Sequence, residues 1–147
     1  MPKQFLFIIF IIVFVFIGYH FWTAVNFDNI KYVRIAGQNI KVELASTPVE
    51  KTKGLSGRSE LQEGEGMLFV FSAPGRYPFW MKDINFPIDI IWLSEDMEVV
   101  YIKKDARPEL YPEIYGSDID SKYVLEVVAG FSEKYNLKVG DRVEFTY

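Results

Sequence analysis

The sequence predicts a mainly β domain, a compact barrel or sandwich of about eight strands with one or two short helices, preceded by one transmembrane helix. Three observations carry this. The chain opens on a long uncharged apolar run; beyond it, apolar residues alternate with period two far more often than with the helical period; and Gly, Pro and Asn punctuate the alternation at short intervals.

The opening run lies between Lys3 and Asp28, where 24 consecutive residues, Gln4 to Phe27, carry no charge. More than 20 helical residues at ~1.5 Å each span a hydrocarbon core of ~30 Å, whereas a core helix of a soluble domain would show polar residues at every third or fourth position. A cleaved signal peptide is the nearest alternative, but small residues of the Ala-x-Ala kind are missing and Trp22 stands upstream of Ala24 where a small side chain is wanted. Residues 4–27 are therefore read as an uncleaved membrane anchor, with Tyr19, His20 and Trp22 at its interfacial end. A cytoplasmic tail of only a few residues, in the manner of a signal anchor, places residues 28–147 outside the cytoplasm. The domains expected are thus 1–27, the anchor, and 28–147, the extracytoplasmic β domain.

Because Lys3 is the only charge before Asp28, residues 28–147 hold 15 basic and 20 acidic side chains, a balance of -5. With no Lys/Arg run to concentrate positive charge, nucleic acid is not an expected partner. Ile30 to Ala36 and Ile40 to Leu44 flank a turn at Gly37-Gln38-Asn39 and read as a hairpin with one wet face. Gly66 to Phe71 and Ile88 to Leu93 are nearly continuous apolar runs and read as central strands covered on both faces. Residues 77–82, 97–104, 122–129 and 142–147 complete the set of strands. Thr47-Pro48-Val49-Glu50 sets a capping Thr, a Pro at the first helical position and a Glu three residues after the cap, predicting a helix of about two turns. A second short helix is expected from about Ser132 to before Gly140. Residues 105–121 show no periodicity and read as a long loop.

Thr47-Pro48, Gly54-Leu55, Arg58, the run from Gly66 to Phe71, Phe79-Trp80-Met81-Lys82, Pro87-Ile88-Asp89-Ile90-Ile91, Tyr123-Val124-Leu125-Glu126, Ala129-Gly130 and Val139-Gly140-Asp141 follow one another in a familiar order. Over about residues 40–147 the chain resembles the family called domain of unknown function 192. The resemblance implies a compact, mainly β domain, often exported or lipid-linked, and implies no established activity. Ser56 and Asp83 stand where the family usually has Met and Asn.

Residues 28–147 contain neither Cys nor His. That excludes a thiol nucleophile and a Ser-His-Asp triad, and it removes the usual zinc ligands. Asp118 and Asp120 lack the companions of a calcium loop, so no metal and no cofactor is expected. What remains is a tethered module that binds an extracytoplasmic ligand or partner, or else a carboxylate-dependent hydrolase acting on envelope polymers. Five residues are the candidate ligand-binding set: Arg58, Trp80, Lys82, Asp89 and Glu126. Period-two counting puts Trp80 and Lys82 on one face of their segment, opposite Phe79 and Met81, so Trp80 is either a binding surface or a core residue. Asp89 and Glu126 sit in the most apolar strands and should be buried, each either protonated or paired; Arg58 and Lys82 are the expected cations. An architectural ion pair and a ligand-orienting cluster beside Trp80 both remain open.

Overall fold

The structure, a computed structural model, describes residues 29–147; the segment read as an anchor, residues 4–27, lies outside them. Among the described residues no helix is long and apolar enough to cross a membrane. The chain runs β1 (Tyr32–Ile35), β2 (Gln38–Ala45), α1 (Pro48–Lys53), β3 (Glu65–Gly75), β4 (Ile88–Leu93), β5 (Val99–Ala106), a single 3-10 turn (Pro108–Leu110), β6 (Ser121–Val128), α2 (Phe131–Lys134) and β7 (Glu144–Thr146). Seven strands form one sheet in the order β5-β4-β6-β3-β2-β1-β7. All neighbours are antiparallel except β2 and β3, which are parallel and joined by the crossover that contains α1.

The sheet is a curled half-barrel. Its two ends are brought together by the residues flanking β5 and β7, where Val99 donates to the Asp141 carbonyl, Gly140 to that of Val99 and Val143 to that of Met97, at 2.8–2.9 Å. Ile30, Val33, Ile40, Val42, Leu68, Ile91, Leu93, Leu125 and Val127 fill the inner face with Phe131 and Leu137. The outer face is covered as well, because Met67, Phe69, Ile88, Ile90, Trp92 and Val124 pack beneath Leu55, Met81, Ile84 and Tyr115 from the loops. β3, β4 and β6 are therefore double-sided, which explains why β4 is buried at all six positions and reads as an unbroken apolar run.

Local chemistry matches the elements. The first hairpin turns at Ala36-Gly37, both left-handed (φ 49 and 75), one residue earlier than the turn expected from sequence; Ile35 pairs with Gln38 across it. At α1 the Thr47 hydroxyl accepts from Glu50 N and the Glu50 carboxylate accepts from Thr47 N, a complete capping box. α2 is shorter than expected: Asn136 adopts a left-handed φ of 53 and ends the turn before Gly140. Gly66 is fixed by space, since a Cβ there would lie 2.7 Å from the Glu126 carbonyl on the adjacent strand.

Residues 77–82 are not an eighth strand, as the alternation suggested. Pro78 removes one backbone donor, and only Phe79 pairs, in an isolated bridge to Tyr115 whose two N–H···O bonds are 2.8 Å. The segment is a strap across the outer face. Tyr77 O accepts from Trp92 Nε1 at 2.9 Å, and the Phe79 ring meets Phe69 and Trp92 edge to face at 4.8 and 5.7 Å.

Asp89 supplies a polar counterpart. Its carboxylate is fully buried and accepts from the backbone N–H groups of Asp105 (2.9 Å), Gly130 (3.2 Å) and Ser132 (2.8 Å). It joins the end of β5 to the turn that opens α2, satisfying donors that no strand partner reaches. Asp89→Asn puts an amide donor against some of these N–H groups, so we expect a loss of about 2–4 kcal/mol in chemical denaturation. An unchanged unfolding midpoint would contradict this role.

A buried carboxyl beneath an aromatic cavity

β6 sends Glu126 to the outer face of the sheet, between Met67 of β3 and Ile90 of β4, with Glu43 of β2 one strand further along the same row. Glu126 is 2% exposed, and its Oε2 is buried with no hydrogen-bond partner. Removal from water pushes its pKa up to about 8, against a smaller opposing pull from the Arg58 charge. At neutral pH this side chain is therefore mostly a neutral carboxylic acid.

Above it opens a cavity of about 270 Å³. One wall is the end of α1 and the following turn, with Lys51, Lys53, Gly54 and Leu55; the opposite wall is the strap, with Tyr77, Phe79, Trp80 and Lys82; Phe69 and Phe71 of β3 contribute the aromatic floor beside Glu126. Gly54 lets the α1 wall approach the floor, since a Cβ there would stand 3.3 Å from the Phe69 ring and its φ of +47 is one that other residues rarely adopt. Ser56 Oγ donates to the Lys82 carbonyl at 3.1 Å and Gly57 N to that of Asp83 at 2.9 Å, pinning the two walls together. Phe71 stacks on Tyr77, with ring centroids 3.5 Å apart and planes within 8°. Lys51 Nζ lies 4.8 Å from the Phe71 ring centroid, and burial lowers its pKa.

Of the five residues expected at a site, three line this cavity: Trp80, Lys82 and Glu126. Trp80 is 47% exposed, beside the buried Met81, so the alternation expected from sequence holds although the segment is not a strand. Arg58 is committed elsewhere, its Nη1 and Nη2 donating to Glu43 Oε1 and Oε2 at 2.7 and 2.6 Å. That fork raises the guanidinium pKa and lowers that of Glu43. Asp89 lies on the inner face, paired with Val127, and does not meet Glu126, Arg58 or Lys82. Asp89 sits one strand position from the outer-facing Ile90 and so on the opposite face, and of the four charges Lys82 and Glu126 share the cavity beside Trp80. Lys51, Phe71 and Tyr77 were not anticipated. Their only sequence signal is proximity to the motif blocks, because the cavity is made by a crossover and a strap that no periodicity links.

The fold and site define a class: a curled, double-covered β sheet with one acid at the base of an aromatic cavity. The chain belongs to the DUF192 family, described as uncharacterized ACR, whose match spans residues 31–145. A Novosphingobium aromaticivorans protein of unknown function is similar in structure, with TM-score 0.74 and 34% identity over 78% of this chain and 84% of that one. A Sinorhizobium meliloti protein, described as a candidate transcription regulator, is similar with TM-score 0.72 and 30% identity, covering 78% of this chain and 90% of that one. No curated protein matches the chain.

The Glu126 proton makes stability depend on pH with a definite sign. The folded chain holds that proton up to about pH 8, whereas an unfolded chain releases it near 4.5, so folding takes up a proton between those values. Stability from this group is greatest below the lower value and falls as pH rises toward 8, by ~1.4 kcal/mol per pH unit at most. Glu43, Glu50 and Glu63 have lowered pKa values, through Arg58, the α1 cap and Lys134 respectively, and titrate beneath this window. We expect the melting temperature to fall from pH 5 to pH 8 in the wild type and to fall markedly less in Glu126→Gln. Parallel curves for the two proteins would refute the assignment.

Proposed function

We propose that the protein is a ligand-binding module, held to a membrane by residues 4–27 with residues 28–147 outside the cytoplasm, and that its ligand enters the cavity over Glu126. The observation that carries the binding reading is an unpartnered buried carboxyl facing an open, aromatic-lined space. A buried polar atom without a partner costs free energy in the empty protein, which a ligand that hydrogen-bonds to it recovers. The tether rests on the 24 uncharged residues from Gln4 to Phe27.

One observation favours the hydrolase as a second reading: a carboxyl with a pKa near 8 is poised as a general acid. Glycoside cleavage needs a second carboxylate across the substrate, and the cavity lining contains none; Glu43, in the same row, is held by Arg58. Binding is accordingly the better-supported reading.

A fragment set of mixed charge, screened against the full-length protein by Trp fluorescence and thermal shift, should contain compounds that bind saturably. Trp80→Ala should weaken them about tenfold or more while leaving the melting temperature nearly unchanged, because Trp80 is half exposed. Absence of any saturable compound, or a large stability loss in Trp80→Ala, counts against the site. Mass spectrometry of the mature chain tests the tether: a start between Tyr19 and Asp28 means cleavage and secretion.

A further inference from the structure

Building on that cavity as a binding site, the charges at its mouth define what it takes. Lys51 and Lys53 from the end of α1 and Lys82 from the strap all line it, and among the described residues Glu126 is its only acidic lining residue. Six ion pairs occur among the described residues, and none uses these three lysines. Lys51 is the most telling. Its ammonium sits over the Phe71 ring, partly withdrawn from water, while the neighbouring Glu50 carboxylate is spent on the backbone of Ser46 and Thr47. Three lysines, none of them in a close ion pair among the described residues, thus line one cavity of a chain whose net charge is -4.

We propose that the cavity binds a small anion with a flat body: its charged group rests on Lys51, Lys53 and Lys82, its ring lies against Phe71, Phe79 and Trp80, and a neutral hydroxyl at its far end reaches Glu126. A protonated carboxyl offers both a donor and an acceptor, which a hydroxyl satisfies without burying any charge. An ammonium in that position would instead bury an ion pair, with desolvation costs on both partners, after passing three lysines of like charge. The volume of about 270 Å³ is small beside the ~300–1,000 Å³ of sites for drug-sized molecules, which limits the body to about one ring. A hydroxylated aromatic acid and an acidic sugar share this chemistry, and both rings stack on exposed Trp.

The test uses the full-length protein and four probes: 4-hydroxybenzoate, benzoate, 4-hydroxybenzamide and glucuronate. Affinities are read by isothermal titration calorimetry and by perturbation of the Trp80 indole signal. At least one of the two hydroxylated anions should bind, and which of them does separates the aromatic from the sugar source. If it is the aromatic acid, benzoate and the neutral amide should bind about tenfold weaker or worse. Lys51→Gln with Lys82→Gln should lose about tenfold or more for the anion, with melting temperature retained, and raised salt should weaken wild-type binding. Glu126→Leu should erase the advantage of 4-hydroxybenzoate over benzoate while leaving the lysine dependence in place. Neutral or cationic fragments that bind the cavity better than the anions would overturn the ligand class and leave the site itself standing. If no fragment of any charge perturbs Trp80, the site and the ligand class fall together.

Discussion

A sheet covered on both faces leaves a strand no wet side. At the central positions of β3, β4 and β6, alternate side chains enter one hydrophobic cluster or the other, so a charged residue buried there must be resolved inside the protein. The molecule does this twice, differently. Asp89, on the inner face, meets three backbone N–H groups and becomes a fastening between β5 and α2. Glu126, on the outer face, meets no donor among the described residues, is mostly protonated at neutral pH and lies buried at the base of a cavity. Two carboxyl groups in similar apolar strands thus find different surroundings, decided by which face each occupies and what covers that face.

The outer cover is not a second sheet but irregular segments: the crossover from β2 to β3, the strap at residues 77–82 with the turn that follows it, and the loop that carries Tyr115. Each is seated by one or two buried anchors: Leu55 for the crossover, Met81 and Ile84 for the strap and its turn, Tyr115 for the loop. Between anchors the chain stands off the sheet, and the gap is the cavity. The strap would slide without the Trp92 hydrogen bond to Tyr77 and the ring of Phe79 wedged between Phe69 and Trp92. Those contacts hold Trp80 and Lys82 outward at a fixed height above Glu126.

Much of this was legible in the sequence. The apolar run of β4, the alternation in β2 and the capping box of α1 each depend on neighbours in the chain, so local pattern reveals them. The burial of Asp89 and Glu126 was legible for the same reason, as was the alternation that sets Trp80 and Lys82 opposite Phe79 and Met81, although it left open whether Trp80 was surface or core. What escaped depends on contacts distant in sequence. Residues 77–82 alternate like a strand because one side faces the core, yet Pro78 and the crowded sheet beneath deny them a ladder partner. The fork between Arg58 and Glu43 spans a crossover, and no spacing rule connects those positions. Lys51 became a cavity residue only because the parallel pairing of β2 and β3 lays α1 beside the strap.

That pairing order also shapes how the domain is made. β1, the first strand, has β7, the last, as its outer neighbour, with Tyr32 opposite Thr146 and Lys31 N bonded to the Thr146 carbonyl at 2.8 Å. The edge of β1 is therefore unpaired until β7, more than 100 residues away in the sequence, is placed beside it. Pairing across so long a stretch of chain raises the contact order, which goes with slower folding. Until that pairing is made the domain exposes a strand edge, the kind of surface on which a partly folded chain associates with its neighbours.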